Sequence, residues 1–173
     1  RWIGIREWRE KFATLSKDGL KLTPYQTNIK AATRTSTLFY RQQHASFEAT
    51  TTLKFKPKSE KELAGITCYQ SEKFNYVFGV TKKGNDYYLV LDKTEKGTSK
   101  LIASKKISYA SEINLQVIAQ GNNYQFNYAL DGTVYENLGG IVSGDILSTD
   151  VAGGFTGSLI GLYTTKANDI VPE

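Results

Sequence analysis

Ten residues of strict alternation constrain this chain more than anything else in it. Phe47, Ala49, Thr51, Leu53 and Phe55 alternate with Glu48, Thr50, Thr52, Lys54 and Lys56, the period of a β-strand with one face turned to a core. Pro57 ends the run, because proline has no N–H to give to a ladder. Shorter strand-like runs follow at 65–69, 75–81, 87–92, 100–103, 113–120, 124–130 and 158–164. Turn chemistry separates several of them: Lys82–Lys83–Gly84–Asn85–Asp86, Gln120–Gly121–Asn122–Asn123 and Asp131–Gly132,. Tyrosine and phenylalanine are concentrated in these runs, as strand propensity favours. No long window carries a helical period, and 59–63 predicts a single helical turn with Ser59 capping it and Glu62 in the third position,. Many close strands without intervening helices predict an all-β fold, an antiparallel sandwich or barrel.

The chain has 173 residues, the size of one domain, and neither a linker, a low-complexity block nor a repeat divides 1–173,. Cys68 and His44 are the only residues of their kinds, which excludes an internal disulfide framework and the usual zinc ligand sets. Methionine is absent, so Arg1 is not a translation start and the chain is expected to come from something longer. The net charge of +5 invites a nucleic-acid reading, but the lysines are spread out. Lys54, Lys56 and Lys58 fall on one solvent face, and Lys82, Lys83, Lys93, Lys96, Lys105 and Lys106 fall in turn-like segments, with no recognition signature beside them,. A nucleic-acid partner is therefore not expected. The longest uncharged stretch, 151–165, is rich in Gly, Ser and Thr and shorter than the roughly 20 residues a membrane span needs.

The common catalytic signatures are missing. The sequence holds no phosphate-cradling glycine loop, dinucleotide fingerprint or glycine-flanked serine elbow,. His44 follows Arg41, Gln42 and Gln43 without a serine or cysteine context, and a hydrogen-bonded structural role is expected for it. Asp145 and Asp150 stand near a glycine-rich loop and read as caps and turn formers. Asp131 and Asp169 are loop carboxylates of the kind that hold calcium in sandwich proteins, although a hairpin turn accounts for Asp131–Gly132. The segment 148–157 stands apart, because Gly153, Gly154 and Gly157 let the backbone bend around Phe155,. Such a ring can stack on a sugar face or fill a partner's pocket, whereas spacing alone favours a strand start with Phe155 pointing into the core. Trp2, Trp8, Tyr87, Tyr88 and Tyr135 could form a glycan platform, and core packing is the expected alternative for them.

An ordered set of motifs gives the chain a family likeness. Arg41–Gln42–Gln43–His44 precedes Phe47–Glu48–Ala49, then Leu53–Lys54–Phe55–Lys56–Pro57, then Ala64–Gly65–Ile66 and Tyr69. Tyr124–Gln125–Phe126–Asn127–Tyr128 and Asp131–Gly132 follow, then Leu147–Ser148–Thr149, Val151–Ala152–Gly153–Gly154–Phe155–Thr156–Gly157 and Ile160–Gly161–Leu162–Tyr163. Together with Trp2–Ile3–Gly4–Ile5–Arg6 and Leu20–Lys21–Leu22, this resembles the C-terminal concanavalin-A-like sandwich domain of glycoside hydrolase family 43, the β-xylosidase and α-arabinofuranosidase group.

The resemblance implies a two-sheet jelly-roll sandwich that follows an N-terminal five-bladed β-propeller. In such enzymes the propeller carries two Asp and one Glu that hydrolyse xylosides or arabinosides with inversion. None of those acids is in this chain, so it is expected to be inactive alone, with no catalytic residue, no metal and no cofactor. A sandwich loop sends a phenylalanine into the active-site mouth of the β-xylosidases. By motif position that residue is Phe155, flanked by Gly154 and Thr156, while Arg41, Gln42, Gln43 and His44 would serve structure or the interface. Tyr40 and Ala45 depart from the doubled arginine and the aromatic usual around Gln-Gln-His, and the C-terminus stops short of a common aromatic-rich strand, so an altered sheet edge is expected. The expected function is accessory, with the propeller and a xylo- or arabino-oligosaccharide as partners. An autonomous carbohydrate-binding module for xylan-type glycans is the alternative.

Overall fold

The alternation that opens the sequence becomes a nine-residue strand, and a sandwich is built around it. The structure, a computed structural model, describes residues 2–4, 12–109, 112–148, 150 and 158–173. Its strands are β1 (Trp2–Gly4), β2 (Ala13–Ser16), β3 (Gly19–Leu22), β4 (Ser36–Arg41), β5 (Ser46–Lys54), β6 (Leu63–Ser71), β7 (Phe74–Lys83), β8 (Asp86–Glu95), β9 (Thr98–Ile107), β10 (Glu112–Gln120), β11 (Asn123–Ala129), β12 (Glu136–Ser143) and β13 (Leu159–Thr165). A 3-10 turn at Asp145–Leu147 follows β12. At 59–63 there is a single hydrogen-bonded turn: Glu62 N–H donates to the Ser59 carbonyl, Lys61 N–H to Ser59 Oγ, and Lys58 N–H to the Glu62 carboxylate.

Two antiparallel sheets face each other. The larger has the order β1-β4-β13-β6-β7-β8-β9, the smaller β12-β11-β10-β5, and β2 pairs with β3 as a separate hairpin. The layers are those of a concanavalin-A-like jelly-roll sandwich. Alternation sorts side chains between the two faces of the larger sheet. Ile66, Cys68, Tyr76, Phe78, Val80, Leu89 and Leu91 turn inward against Leu115, Val117, Phe126 and Tyr128 of the smaller sheet. Burial pushes the Cys68 thiol up to about 12, which leaves it an inert core residue,.

The opposite face of the larger sheet has its own cover. Phe39, Leu63, Val77, Val90 and Tyr163 pack under Ile29 and Ile170, which belong to irregular segments. Ile29 N–H donates to the Tyr163 hydroxyl at 2.9 Å. Asn168 Nδ2 reaches the Glu60 carbonyl, Thr81 Oγ1 and the Ile170 carbonyl, so this buried amide is well satisfied,. The residues after β13 thus strap the outer face and form no edge strand; the described edges of that sheet are β1 and β9.

Under the strap lies one buried carboxyl, which Lys30 joins to Asp169. Asp92 on β8 is 4% exposed and lies 3.5 Å from Lys30 Nζ, which also holds Asp169 at 2.9 Å. Burial pushes the Asp92 carboxyl up to about 6, against the pull of Lys30,. The folded chain therefore holds this proton more tightly than the unfolded chain, where the value is near 3.8. The stability it lends below pH 4 is lost as pH rises to 6, on the order of 2–3 kcal/mol. Denaturant titrations across that window should show the Asp92→Asn chain with a flatter profile; an unchanged slope would contradict this account of Asp92.

Candidate functional site

One end of the sandwich holds Arg41, Gln42, Gln43 and His44, the described residues among those that the family likeness singled out. β4 ends at Arg41 and β5 begins at Ser46, so residues 42–45 carry the chain from the larger sheet to the smaller. Beside this turn lie the β10–β11 turn, the 3-10 turn after β12, and Ser158 at the entry to β13. Gln42 ties them together. Its backbone N–H donates to the Ser158 carbonyl at 3.0 Å, its side-chain amide donates to the His44 carbonyl at 3.0 Å, and its Oε1 accepts the Tyr124 hydroxyl at 3.0 Å. Burial pushes that hydroxyl up to about 12, so it remains protonated and donates.

The neighbouring turns are fixed in the same way. Gly121 N–H donates to the Ala45 carbonyl at 2.9 Å and Gly144 N–H to the Asn122 carbonyl at 2.7 Å. Tyr76, rooted in the core, donates its hydroxyl to the Ser143 carbonyl at 2.6 Å. A Cβ on Gly144 would run into the Tyr124 ring, so the chain passes against that ring only because it is glycine. Ile146 and Leu147 then plunge into the core, 2% and 3% exposed, and anchor the 3-10 turn.

Phe155, Gly154 and Thr156 lie outside the described residues. Their two flanks do not: Leu147 and Ser148 on one side and Ser158 on the other stand around one open pocket of about 380 Å³, with Gln43, His44, Asn122 and Tyr124. Gln43 and His44 are exposed. His44 is hydrogen-bonded through its backbone carbonyl, which accepts the Gln42 side-chain amide. Tyr124 belongs to a family motif, but the motif assigns it no place in the site. Its one clue is a hydroxyl at an inward position of the Tyr124–Phe126–Tyr128 alternation, where a buried tyrosine needs a partner.

The other candidates separate. Asp145 is exposed and its N–H is taken by Ser143 Oγ, and Asp150 is exposed as well. Asp131 Oδ1 accepts Thr133 and Val134 N–H groups, which holds its carboxyl below the usual range. It caps the β11–β12 loop, and Asp169 is held by Lys30. Among the described residues no group of three or more His, Cys, Asp or Glu could hold a metal ion. Of the proposed aromatic platform, Tyr87 packs inward on Tyr109 while Tyr88 belongs to the outer face, and Trp8 lies outside the described residues. Trp2, expected in the core, is instead 53% exposed and meets Tyr40 edge-to-face at 5.9 Å. Several scattered lysines are paired, Lys54 with Glu112, Lys105 with Glu136 and Lys106 with Asp86.

The profile of the family described as the beta xylosidase C-terminal concanavalin A-like domain matches residues 1–170. The chain belongs to that family. Curated relatives agree with it: a non-reducing end alpha-L-arabinofuranosidase of Bacteroides ovatus is 28% identical over 95% of this chain, and a xylosidase/arabinosidase of Butyrivibrio fibrisolvens 29% identical over 96%. The chain spans only 31% and 32% of those two proteins, about a third of their length. Among solved structures, a GH43_12 protein retrieved from a capybara gut metagenome superposes with a TM-score of 0.87 at 39% identity, covering 95% of this chain and 32% of its own. In this concanavalin-A-like domain, Leu147 in the core and Ser158 on Gln42 are both fixed at the end that carries 42–45.

Proposed function

We propose that this chain is the accessory sandwich of a longer xylan-degrading hydrolase of the xylosidase and arabinofuranosidase type. It packs on an N-terminal five-bladed β-propeller and presents Phe155, with Gly154 and Thr156 beside it, as an apolar wall of the propeller's substrate pocket. The observation that carries this reading is the anchoring of both stems of the 149–157 segment, through Leu147 in the core and Ser158 on Gln42. A loop that positions a substrate needs rigid supports, since small misplacements at a reacting centre cost rate steeply. Two further observations support it. Trp2 of β1 pairs with Tyr40, one residue before Arg41, so a preceding domain would join at this same end. The relatives are about three times longer than the chain and are named for arabinosidase or xylosidase activity.

Sandwich chemistry also allows the alternative, a module that binds xylan-type glycans by itself. The exposed aromatic pair Trp2–Tyr40 is the feature that favours it,. Calorimetric titration of the folded chain with xylo- and arabino-oligosaccharides separates the two. The accessory reading expects no saturable heat; saturable binding by the chain alone would transfer the function to the module reading.

A further inference from the structure

The two sheets are unequal, and among the described residues the mismatch leaves part of an inner face without a cover. The smaller sheet stops at β5, while β13, β4 and β1 of the larger one continue beyond it. The edge strand β5 shows the consequence: Phe47, Ala49, Thr51 and Leu53, its inward set, are only half-buried. Beyond them lies a groove of about 410 Å³ bounded by Trp2, Tyr40, Ala49, Thr51, Ile160 and Leu162, with no charged side chain on its walls. Trp2 is 53% and Tyr40 41% exposed. Contiguous apolar surface with aromatic rims is how proteins mark a place for a partner.

We infer that this groove is the docking face for the N-terminal catalytic domain of the longer protein, an inference that rests on the proposed function. Three observations name that occupant. About two thirds of the length of the curated relatives lies outside the region this chain matches, so a large body of protein must be accommodated. The first strand is itself part of the groove, since Trp2 on its wall stands opposite Tyr40, so chain that precedes Trp2 would arrive beside it. The groove also lies close to the loop end, since Ile160 on its wall is two residues along from Ser158, which Gln42 holds. Such a face selects apolar and aromatic side chains on the catalytic domain. Glu48 and Lys54, which mark the outward set of β5, take no part in its lining.

The test is thiol labelling of Tyr40→Cys, with Trp2→Cys as a second reporter on the neighbouring strand. Cys68 is 1% exposed, so it does not compete in this chain. Lys100→Cys on β9, the far edge of the larger sheet, is the control. Maleimide modification is read peptide by peptide in the chain alone, whose two cores are built from its own residues, and in the full-length protein. The inference expects Tyr40→Cys and Trp2→Cys to react at least tenfold more slowly in the full-length protein, with Lys100→Cys equal in both. Equal rates for the groove cysteines in both would overturn it. Shielding in the chain alone that grows with its concentration would assign the groove to a second copy, and shielding that needs added xylo-oligosaccharide would assign it to glycan; either outcome also overturns it. Should Phe155→Ala lower turnover while the groove cysteines stay reactive, the pocket-wall reading stands and the docking face alone falls.

Discussion

Replacing Gly65 with alanine should cost this domain about 3 kcal/mol or more of stability, the top of the usual range for overfilling a rigid, well-packed site. Gly65 on β6 stands opposite Gly79 on β7, near the middle of the larger sheet. A Cβ at Gly65 would collide with the Phe78 carbonyl oxygen and stand 2.5 Å from Gly79 Cα. Those are backbone atoms of the partner strand, so no side-chain rotation relieves the clash. The strands could separate only by breaking the β6–β7 ladder, and inner-face residues on both, Ile66 and Phe78 among them, would lose their packing,. Gly84 is the control. It sits in the β7–β8 turn with φ of +60° and nothing within 4 Å of an added Cβ, so Gly84→Ala should cost only about 1 kcal/mol, the left-handed backbone penalty. Urea unfolding of the two variants checks this directly. A Gly65→Ala midpoint no lower than that of Gly84→Ala would contradict the close-approach account.

What the sequence revealed depended on whether a segment buries one face or two. Alternation at 47–56 located β5, and the runs at 75–81, 87–92 and 113–120 lie inside β7, β8 and β10. β4 escaped because Leu38, Phe39 and Tyr40 are consecutive: Phe39 fills the outer core while Tyr40 lines the groove on the other face. β12 escaped for a backbone reason. Gly139 and Gly140 both take positive φ, at +85° and +73°, and the register against β11 jumps between Gln125 and Phe126, so no period of two survives there. The family motifs named Gln42 and Phe155, but not the function of Gln42 as the knot between three turns. That role depends on Tyr124, which is 82 residues away in sequence, and spacing carries no trace of such a contact. The exposed Trp2–Tyr40 pair was hidden for a similar reason: the inequality of the two sheets is a property of strand order, which local periodicity does not encode.

The central claim is that a phenylalanine of the sandwich serves a pocket on another domain. If the Phe155 ring covers one face of the bound sugar, its removal forfeits the burial of an aromatic side chain, about 1.5–3 kcal/mol. At 1.36 kcal/mol for each factor of ten, kcat/KM of the full-length enzyme on xylo- or arabino-oligosaccharides should fall roughly ten- to hundredfold in Phe155→Ala. Part of the loss should appear in kcat, because a looser wall admits water and lets the sugar leave its reactive orientation. Phe155→Leu, which restores apolar volume without the ring, should recover some of it. The stability of the sandwich should not change, since its cores are closed by Phe78, Phe126, Phe39 and Tyr163. The decisive measurement is therefore kcat/KM of Phe155→Ala in the full-length enzyme, alongside its melting curve. A large fall in kcat/KM with an unaltered melt is the predicted result; unaltered kinetics, or a fall matched by loss of folded protein, would contradict it.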